Sequence, residues 1–427
     1  MEALNLEDIQ AQITTVDEIT RKAVVSVPAS QIDSEYKAAI KKYSSRAKVN
    51  GFRPGKAPVA MIEQMYGDSL RWDAVSKLVS DSLQKVVQKN ELQMVGTPKI
   101  DITSNKPGSD LEFTADFSIY PTPTITGYDS ISIEVEKEEL TDDAVNKVID
   151  SIRRSRATVQ PTERKMVQSD DVIDVSVVFK AKDGSETAAE TATIGLGDGR
   201  LPKEFDDQVI GMQVAETREV RLASGEEGEL NYSVTLNSIS ERVLPELTDE
   251  FVASLNEEAK TVKDLKDRIS ANLTSQFEAQ ANEKAKNVVV EKLIELNPFQ
   301  IPQSMIDDEI RNLLIRVGAV DPNNTKFEDI PADPFRDSFG EMATKRVKAN
   351  IVLDQVAQKE NITPNDEDMK KAFQEIAAQS RITEAEARRR FTGRSMLHLA
   401  VEITRSKTQD VLIEKAKISY TPKKSEK

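Results

Sequence analysis

Residues 41–56 read K-K-Y-S-S-R-A-K-V-N-G-F-R-P-G-K and hold six Lys or Arg (Lys41, Lys42, Arg46, Lys48, Arg53, Lys56) without one acid. The whole chain carries a formal net charge of −15, so bulk composition does not produce this island and a local cause is required. Docking to something polyanionic is the simplest cause, with Gly51, Pro54 and Gly55 forming a turn that pushes Phe52 and Arg53 outward. The alternative is a solvated helix face and the turn that follows it.

On either side of the stretch the pattern is α+β. Ala23, Val25 and Val27 alternate as a strand. Tyr36, Ile40, Tyr43 and Ala47 fall at helical spacing. After the basic turn, the pattern predicts a short helix from Pro58 through Tyr66. A longer one follows over about 68–90, with Leu70, Val75, Leu78, Val79, Leu83, Val86 and Val87 on one face. Residues 99–102 and 111–119 read as strands, the second with unbroken alternation of Leu111, Phe113, Ala115, Phe117 and Ile119. One sheet backed by helices is expected. Through Ala115 there are 15 Lys/Arg and 15 Asp/Glu, so all of the −15 lies beyond it. A neutral region with a basic tip can approach nucleic acid, while the acidic remainder is repelled by it.

At 427 residues the chain exceeds what one core organises, and two to four domains are expected. Pro121 and Pro123 mark the first boundary. An alternating segment and a polar helix (about 141–156) lead to short strands at 172–180, 218–222 and 230–239, separated by Gly-rich turns, as in a small β domain. From Pro245 the pattern is almost wholly helical: about 261–296, 303–317, 334–360, 364–379, 383–391 and 394–415, with Asp366, Thr383 and Thr392 at or near N-caps. The apolar residues Met305, Ile306, Ile310, Leu313, Leu314, Phe335, Phe339 and Met342 form narrow stripes, which suit arms that pair with each other or leave patches for a partner. The expected division is 1–115, a linker strand and helix over 116–160, 161–243, and 244–427.

Cysteine is absent, which excludes disulfides, thiol catalysis and thiolate metal sites. The first ten residues lack the basic and apolar regions of a signal peptide, and no window approaches about 18 continuous apolar residues. A soluble cytoplasmic protein is expected. G-F-R-P-G-K-A fails as a phosphate-binding loop, because three residues separate Gly51 from Gly55 and Ala57 stands where a hydroxyl would hold magnesium. Gly195, Gly197 and Gly199 precede Arg200 where a dinucleotide fingerprint needs Gly, so they read as a turn. His398 is the only histidine, too few for a triad or a multi-histidine metal site. The acid pairs Asp170/Asp171 and Asp206/Asp207 carry no hydrolase signal. No metal or cofactor is expected.

G-F-R-P-G-K-A-P, from Gly51 to Pro58, resembles the ribosome-docking signature of the bacterial trigger factor family. The order of basic-tipped domain, small β domain and helical domain resembles it too. So do L-P-E-L-T-D-E-F (Leu244 to Phe251) and N-P-F-Q-I-P-Q-S-M-I-D-D-E-I (Asn297 to Ile310). The resemblance implies a multidomain α+β protein: an α+β ribosome-binding domain, a β-rich domain of the FK506-binding-protein type, and an all-α chaperone domain with arms. It implies an ATP-independent chaperone at the tunnel exit of the large ribosomal subunit, touching ribosomal RNA and protein as well as nascent and unfolded polypeptides. It also implies self-association off the ribosome. Gly51, Phe52, Arg53, Gly55 and Lys56 map onto the docking tip, and Pro54 stands where some members carry a basic residue.

The middle domain implied is a peptidyl-prolyl cis/trans isomerase, in which an aromatic pocket stabilises the twisted amide without a nucleophile. Phe205 and Tyr232 map onto two of about five pocket aromatics. Elsewhere the chain departs from the family. Val177, Val178, Phe179 and Lys180 replace one pocket segment. Residues 185–191 lack the next aromatic, Pro202 is shifted, and residues 223–229 shorten the flap. A retained fold with weak or absent activity is therefore expected, and a stand-alone prolyl isomerase is the alternative function.

Overall fold

The computed structural model describes residues 9–47, 49, 52, 57–106, 108–180, 185–224, 228–255, 258–321 and 324–423. The chain falls into two units: Met1–Val135 with Glu283–Tyr420, and Glu136–Asn282 with Thr421–Lys427.

The first region opens with β1 (Gln10–Thr15), β2 (Thr20–Val27), α1 (Ala29–Ser44), α2 (Val59–Lys89), β3 (Met94–Ser104) and β4 (Leu111–Ile119). The strands form an antiparallel sheet in the order β1-β2-β4-β3. Because side chains alternate across a strand, the register Val25↔Phe113 and Val27↔Leu111 puts both apolar sets on one face. The second half of α2 covers that face with Val75, Leu78, Val79, Leu83 and Val86. Two expectations are corrected here. Residues 58–90 form one helix rather than two: Gly67 lies inside it, and a Cβ there would sit 3.0 Å from the Tyr36 hydroxyl. The glycine admits a close approach of α1 and does not end the helix. The polar strand β1, with mostly exposed side chains, is an addition.

Beyond Pro123 come β5 (Ser132–Lys137) and α3 (Asp142–Ser155), whose N-cap Thr141 accepts from the Ala144 amide. The β-rich region contains β6 (Thr158–Pro161), β7 (Val172–Lys180), β8 (Glu190–Gly195), α4 (Lys203–Val209), β9 (Thr217–Ser224) and β10 (Gly228–Val243). Its sheet runs β6-β10-β7-β8, with β9 also paired to β10. Val175, Leu196, Phe205, Val209, Met212, Val220, Val234 and Leu236 form its core. Arg242 clamps Asp198 through two hydrogen bonds of 2.5 and 3.0 Å, and this bond holds the Asp198 carboxyl below its usual range. Thr193 and Ser238 do the same for Asp174. A carboxyl whose folded pKa is depressed contributes stability that is present above its unfolded value and lost as pH falls through the folded one. Unfolding of this region followed by amide exchange is therefore expected to vary little from about pH 5 to 8 and to become easier below about pH 4.

The helical region runs α5 (Asp249–Ser254), α6 (Val262–Leu296), α7 (Gln303–Arg316), two 3-10 turns, α8 (Arg336–Lys359), α9 (Asp366–Ser380), α10 (Glu384–Arg390) and α11 (Arg394–Lys415). It ends in β11 (Lys417–Pro422), which pairs with β5. Ile133 and Val135 of β5 lie in one cluster with Ala285, Val289 and Leu293 of α6, Val352 and Val356 of α8, and Leu412 of α11. Val145 and Ile149 of α3 pack with Val252, Leu265 and Ile269. The segment expected as a linker thus supplies core residues to the helices. Of the narrow stripes, Ile310, Leu313 and Leu314 are buried with Phe335 and Phe339 against them, whereas Met342 is half exposed. The cap of α9 is Asn365, one residue before the expected Asp366, in a reciprocal box with Asp368. Asn365→Ala is expected to cost about 1 kcal/mol, measurable as a lower thermal midpoint with unchanged helix content at low temperature.

Candidate functional site

α1 ends with Lys41 and Lys42 in its last turn, where the helix dipole favours cations, so those two have a sufficient local reason. Past the helix, Ala47 and Val49 are buried with Ile40, Ile62 and Leu70, and Tyr36, Ala57 and Tyr66 pack against them. Tyr43 and Tyr66 meet at 5.0 Å between ring centres. These contacts anchor the start of the basic turn to α2. Phe52 follows, its amide donating to the Val49 carbonyl at 3.1 Å, and its side chain is 39% exposed. An aromatic ring left in water three residues from a buried valine is a surface contact rather than core. Gly51, Arg53, Gly55 and Lys56 lie outside the described residues, as do Lys48 and Pro54.

A second feature is absent from the periodicity reading above. Met61, Met65 and Trp72 lie on one side of α2 at helical spacing and are all exposed, the last two by more than half. The same side continues to Val79 and Val86, which the sheet buries. α2 has 31 residues and so runs about 46 Å, whereas the nine-residue strand β4 reaches only about 30 Å. The apolar stripe outruns the sheet. Comparing helix length with strand length would have found it.

In the β-rich region, Phe205 and Tyr232 join one cluster. Phe205, in the first turn of α4, is only 5% exposed. Tyr232 is half-buried on β10, opposite Phe179 of β7, with ring centres 5.5 Å apart. Phe179, Phe205 and Tyr232 are the only aromatics of residues 161–243. Asp171 accepts from Arg164 at 2.7 and 3.1 Å and from the Gln168 amide, while Asp206 accepts from the Gly197 amide. Both are thereby occupied in structural hydrogen bonds. Gly197 and Gly199 have φ of +74° and +68°, the left-handed backbone of a turn. Among the described residues no group of three or more acids or histidines could hold a metal. No helix among them is long and apolar enough to cross a membrane.

Two models of the same family match the chain: bacterial trigger factor protein over residues 9–152, and bacterial trigger factor protein C-terminus over residues 261–414. This chain belongs to the trigger factor family. Curated relatives include the trigger factors of Pseudomonas syringae pv. syringae (strain B728a), 26% identical, and Ectopseudomonas mendocina (strain ymp), 27% identical. Each aligns over 381 residues, covering 87% of this chain and 86% of the relative. A solved structure from work on promiscuous substrate recognition in folding and assembly by the trigger factor chaperone covers 94% of this chain and 99% of its own. Its identity is 19% and its TM-score 0.49, so the family assignment rests on the sequence matches. The family's multidomain architecture, mixed α/β followed by a helical C-terminal region, is the one described above.

Proposed function

We propose that this chain is an ATP-independent chaperone that docks on the large ribosomal subunit at the tunnel exit and keeps emerging polypeptides folding-competent. Membership of a chaperone family is the starting point. The observation that carries the docking step is Phe52, exposed in an acid-free basic turn whose base is held by Ala47 and Val49. In this reading Arg53 and Lys56 meet ribosomal RNA phosphate or an acidic exit-site side chain, and Phe52 fills a shallow apolar contact. The exposed Met61, Met65 and Trp72 supply an adaptable apolar surface beside the tip, suited to unfolded segments of varied sequence. The work divides over 1–115 for docking, 116–160 as connection, 161–243 as the isomerase-type domain, and 244–427 for holding clients. The site of action is the cytoplasm, no cofactor is needed, and free molecules self-associate as a homodimer.

The β-rich domain is proposed to keep the fold with little prolyl isomerase activity. Phe205 is packed inside the core and offers almost no ring surface to a proline, and Tyr232 already faces Phe179. Turnover of a prolyl tetrapeptide is expected near the uncatalysed rate and unchanged by Phe205→Ala. Fast turnover lost in that variant would establish a catalytic pocket and the stand-alone isomerase reading. The docking step is tested with a photo-crosslinking amino acid at position 52 in the full chain. Adducts to large-subunit protein or RNA are expected. Adducts confined to the small subunit, or none at saturating ribosome, would refute it.

A further inference from the structure

The G-L-G-D-G-R turn, Gly195 to Arg200, has no role in the function proposed above, yet it forms one wall of an open cavity of about 580 Å³. The second half of α3 and the end of β10 supply other walls. Each of these three places contributes a guanidinium: Arg154 from α3, Arg200 from the turn and Arg242 from β10. All three act on the Asp198 carboxyl and hold it below its usual range, Arg242 most strongly through its hydrogen bonds. Two glycines make room for this crowding. A Cβ at Gly195 would sit 2.2 Å from the Asp198 carboxylate and 2.6 Å from the Arg242 guanidinium. One at Gly197 would sit 2.9 Å from the Asp170 carboxylate and 3.9 Å from the Arg154 guanidinium.

Part of this donor capacity has no protein acceptor. The Arg242 side chain is only 8% exposed; it gives two of its five N–H donors to Asp198, and no described residue takes the other three. Arg200 is exposed and makes no hydrogen bond or ion pair with a described residue through its side chain. Arg154 pairs with Asp170 at 3.1 Å, and the helix dipole favours a cation in its place at the end of α3. Lys147 and Asp150 also line the cavity but are engaged with Asp143 and Arg153 along α3. Among the lining residues four cations face two carboxylates, and with Asp170 behind Arg154 one cation is still in excess. In a chain of net charge −15 that excess is local.

We propose that this cavity binds the phosphoryl group of a small phosphate ester. A phosphoryl dianion presents three terminal oxygens, one for each of Arg154, Arg200 and Arg242, whereas a planar carboxylate is matched by a single guanidinium fork. Ala157 and Val159, the latter 53% exposed, line the same cavity and give the organic body of the ester an apolar seat. The volume is that of small-molecule sites and exceeds what inorganic phosphate fills. A nucleic-acid strand fits less well, because each phosphodiester carries one charge and two free oxygens. The proposal rests on neither ribosome docking nor the holding of clients.

The test titrates the full chain with ribose 5-phosphate at about pH 7.5, where the ester is a dianion, and reads binding by phosphorus NMR. One site per chain is expected, with a Kd of about 1 mM or tighter. Inorganic phosphate should bind severalfold more weakly, and succinate about tenfold more weakly. Arg154→Gln and Arg200→Gln should each weaken the ester about tenfold. Arg156→Gln, at an exposed arginine outside the cavity, should change nothing. These three positions are exposed, and an unchanged thermal midpoint confirms that each variant folds. Arg242 is left in place because it also holds Asp198. No binding of the ester, equal binding of succinate or of inorganic phosphate, or full binding by Arg200→Gln overturns the proposal. So does an equal loss in Arg156→Gln, the mark of diffuse attraction, or displacement of the ester by a short RNA at matched phosphate concentration. Both cavity variants are expected to pellet normally with ribosomes, which keeps failure here distinct from failure of the docking tip.

Discussion

Asp354→Ala is expected to lower the stability of the helical core around α8 by about 2–3 kcal/mol. Asp354 accepts from the Tyr120 hydroxyl at 2.7 Å and from Arg405 at 2.8 and 2.9 Å, so one carboxylate joins three remote segments of the chain. The Tyr120 phenol is pushed up, by burial first and then by that carboxylate, so it donates at every pH the protein meets. Removing Asp354 leaves the mostly buried Arg405 with only the exposed Glu402, and breaking such a pair costs more than the pair contributes. Asp354→Asn keeps an acceptor for one donor and should lose about half as much. Amide exchange of α8 and α11 reads both. Equal protection in wild type and Asp354→Ala would show that the network is ornamental.

Phe113→Ala has the second large effect, about 3–5 kcal/mol. Its ring is fully buried on β4, between Val25 of β2 and Ile102 of β3, under α2. Truncation leaves a cavity in a one-sided sheet whose strands are pinned by register on both sides, so little can collapse into it. Faster amide exchange in β2 and β4 is expected, with the β-rich region unaffected. A loss spread evenly over the chain would mean that the first region does not unfold as its own unit.

The elements that the sequence made plain are those with an undiluted period. The alternation 111–119 is β4 to the residue, and 172–180 is β7. The helices over 141–156 and 303–317 end within a residue or two of the expectation. What it hid depends on partners far away. β11 holds together through β5, nearly three hundred residues earlier, as when the Lys417 amide donates to the Ile131 carbonyl. β1 and β8 have few apolar residues and exist because β2 and β7 offer them hydrogen bonds. The break expected between Tyr66 and residue 68 is absent, and Gly67 there is a contact point for Tyr36.

The site divides in the same way. The acid-free basic stretch 41–56 stands out in the sequence because its charge opposes that of the whole chain; of it, the structure shows the end of α1, the buried Ala47 and Val49 and the exposed Phe52, and most of the expected tip lies outside the described residues. The depleted aromatics of the β-rich domain could be counted in the sequence. That Phe205 is sunk in the core could not, because burial depends on how α4 lies against β9 and β10.

Co-sedimentation of the full chain with 70S ribosomes through a sucrose cushion tests the central claim most directly, comparing wild type with a Phe52→Ala, Arg53→Ala, Lys56→Ala variant. Saturable pelleting of the wild type is expected, weakening as salt rises and falling at least tenfold in the variant while its thermal midpoint stays the same. Equal pelleting of both proteins, or of neither, would contradict docking through this turn.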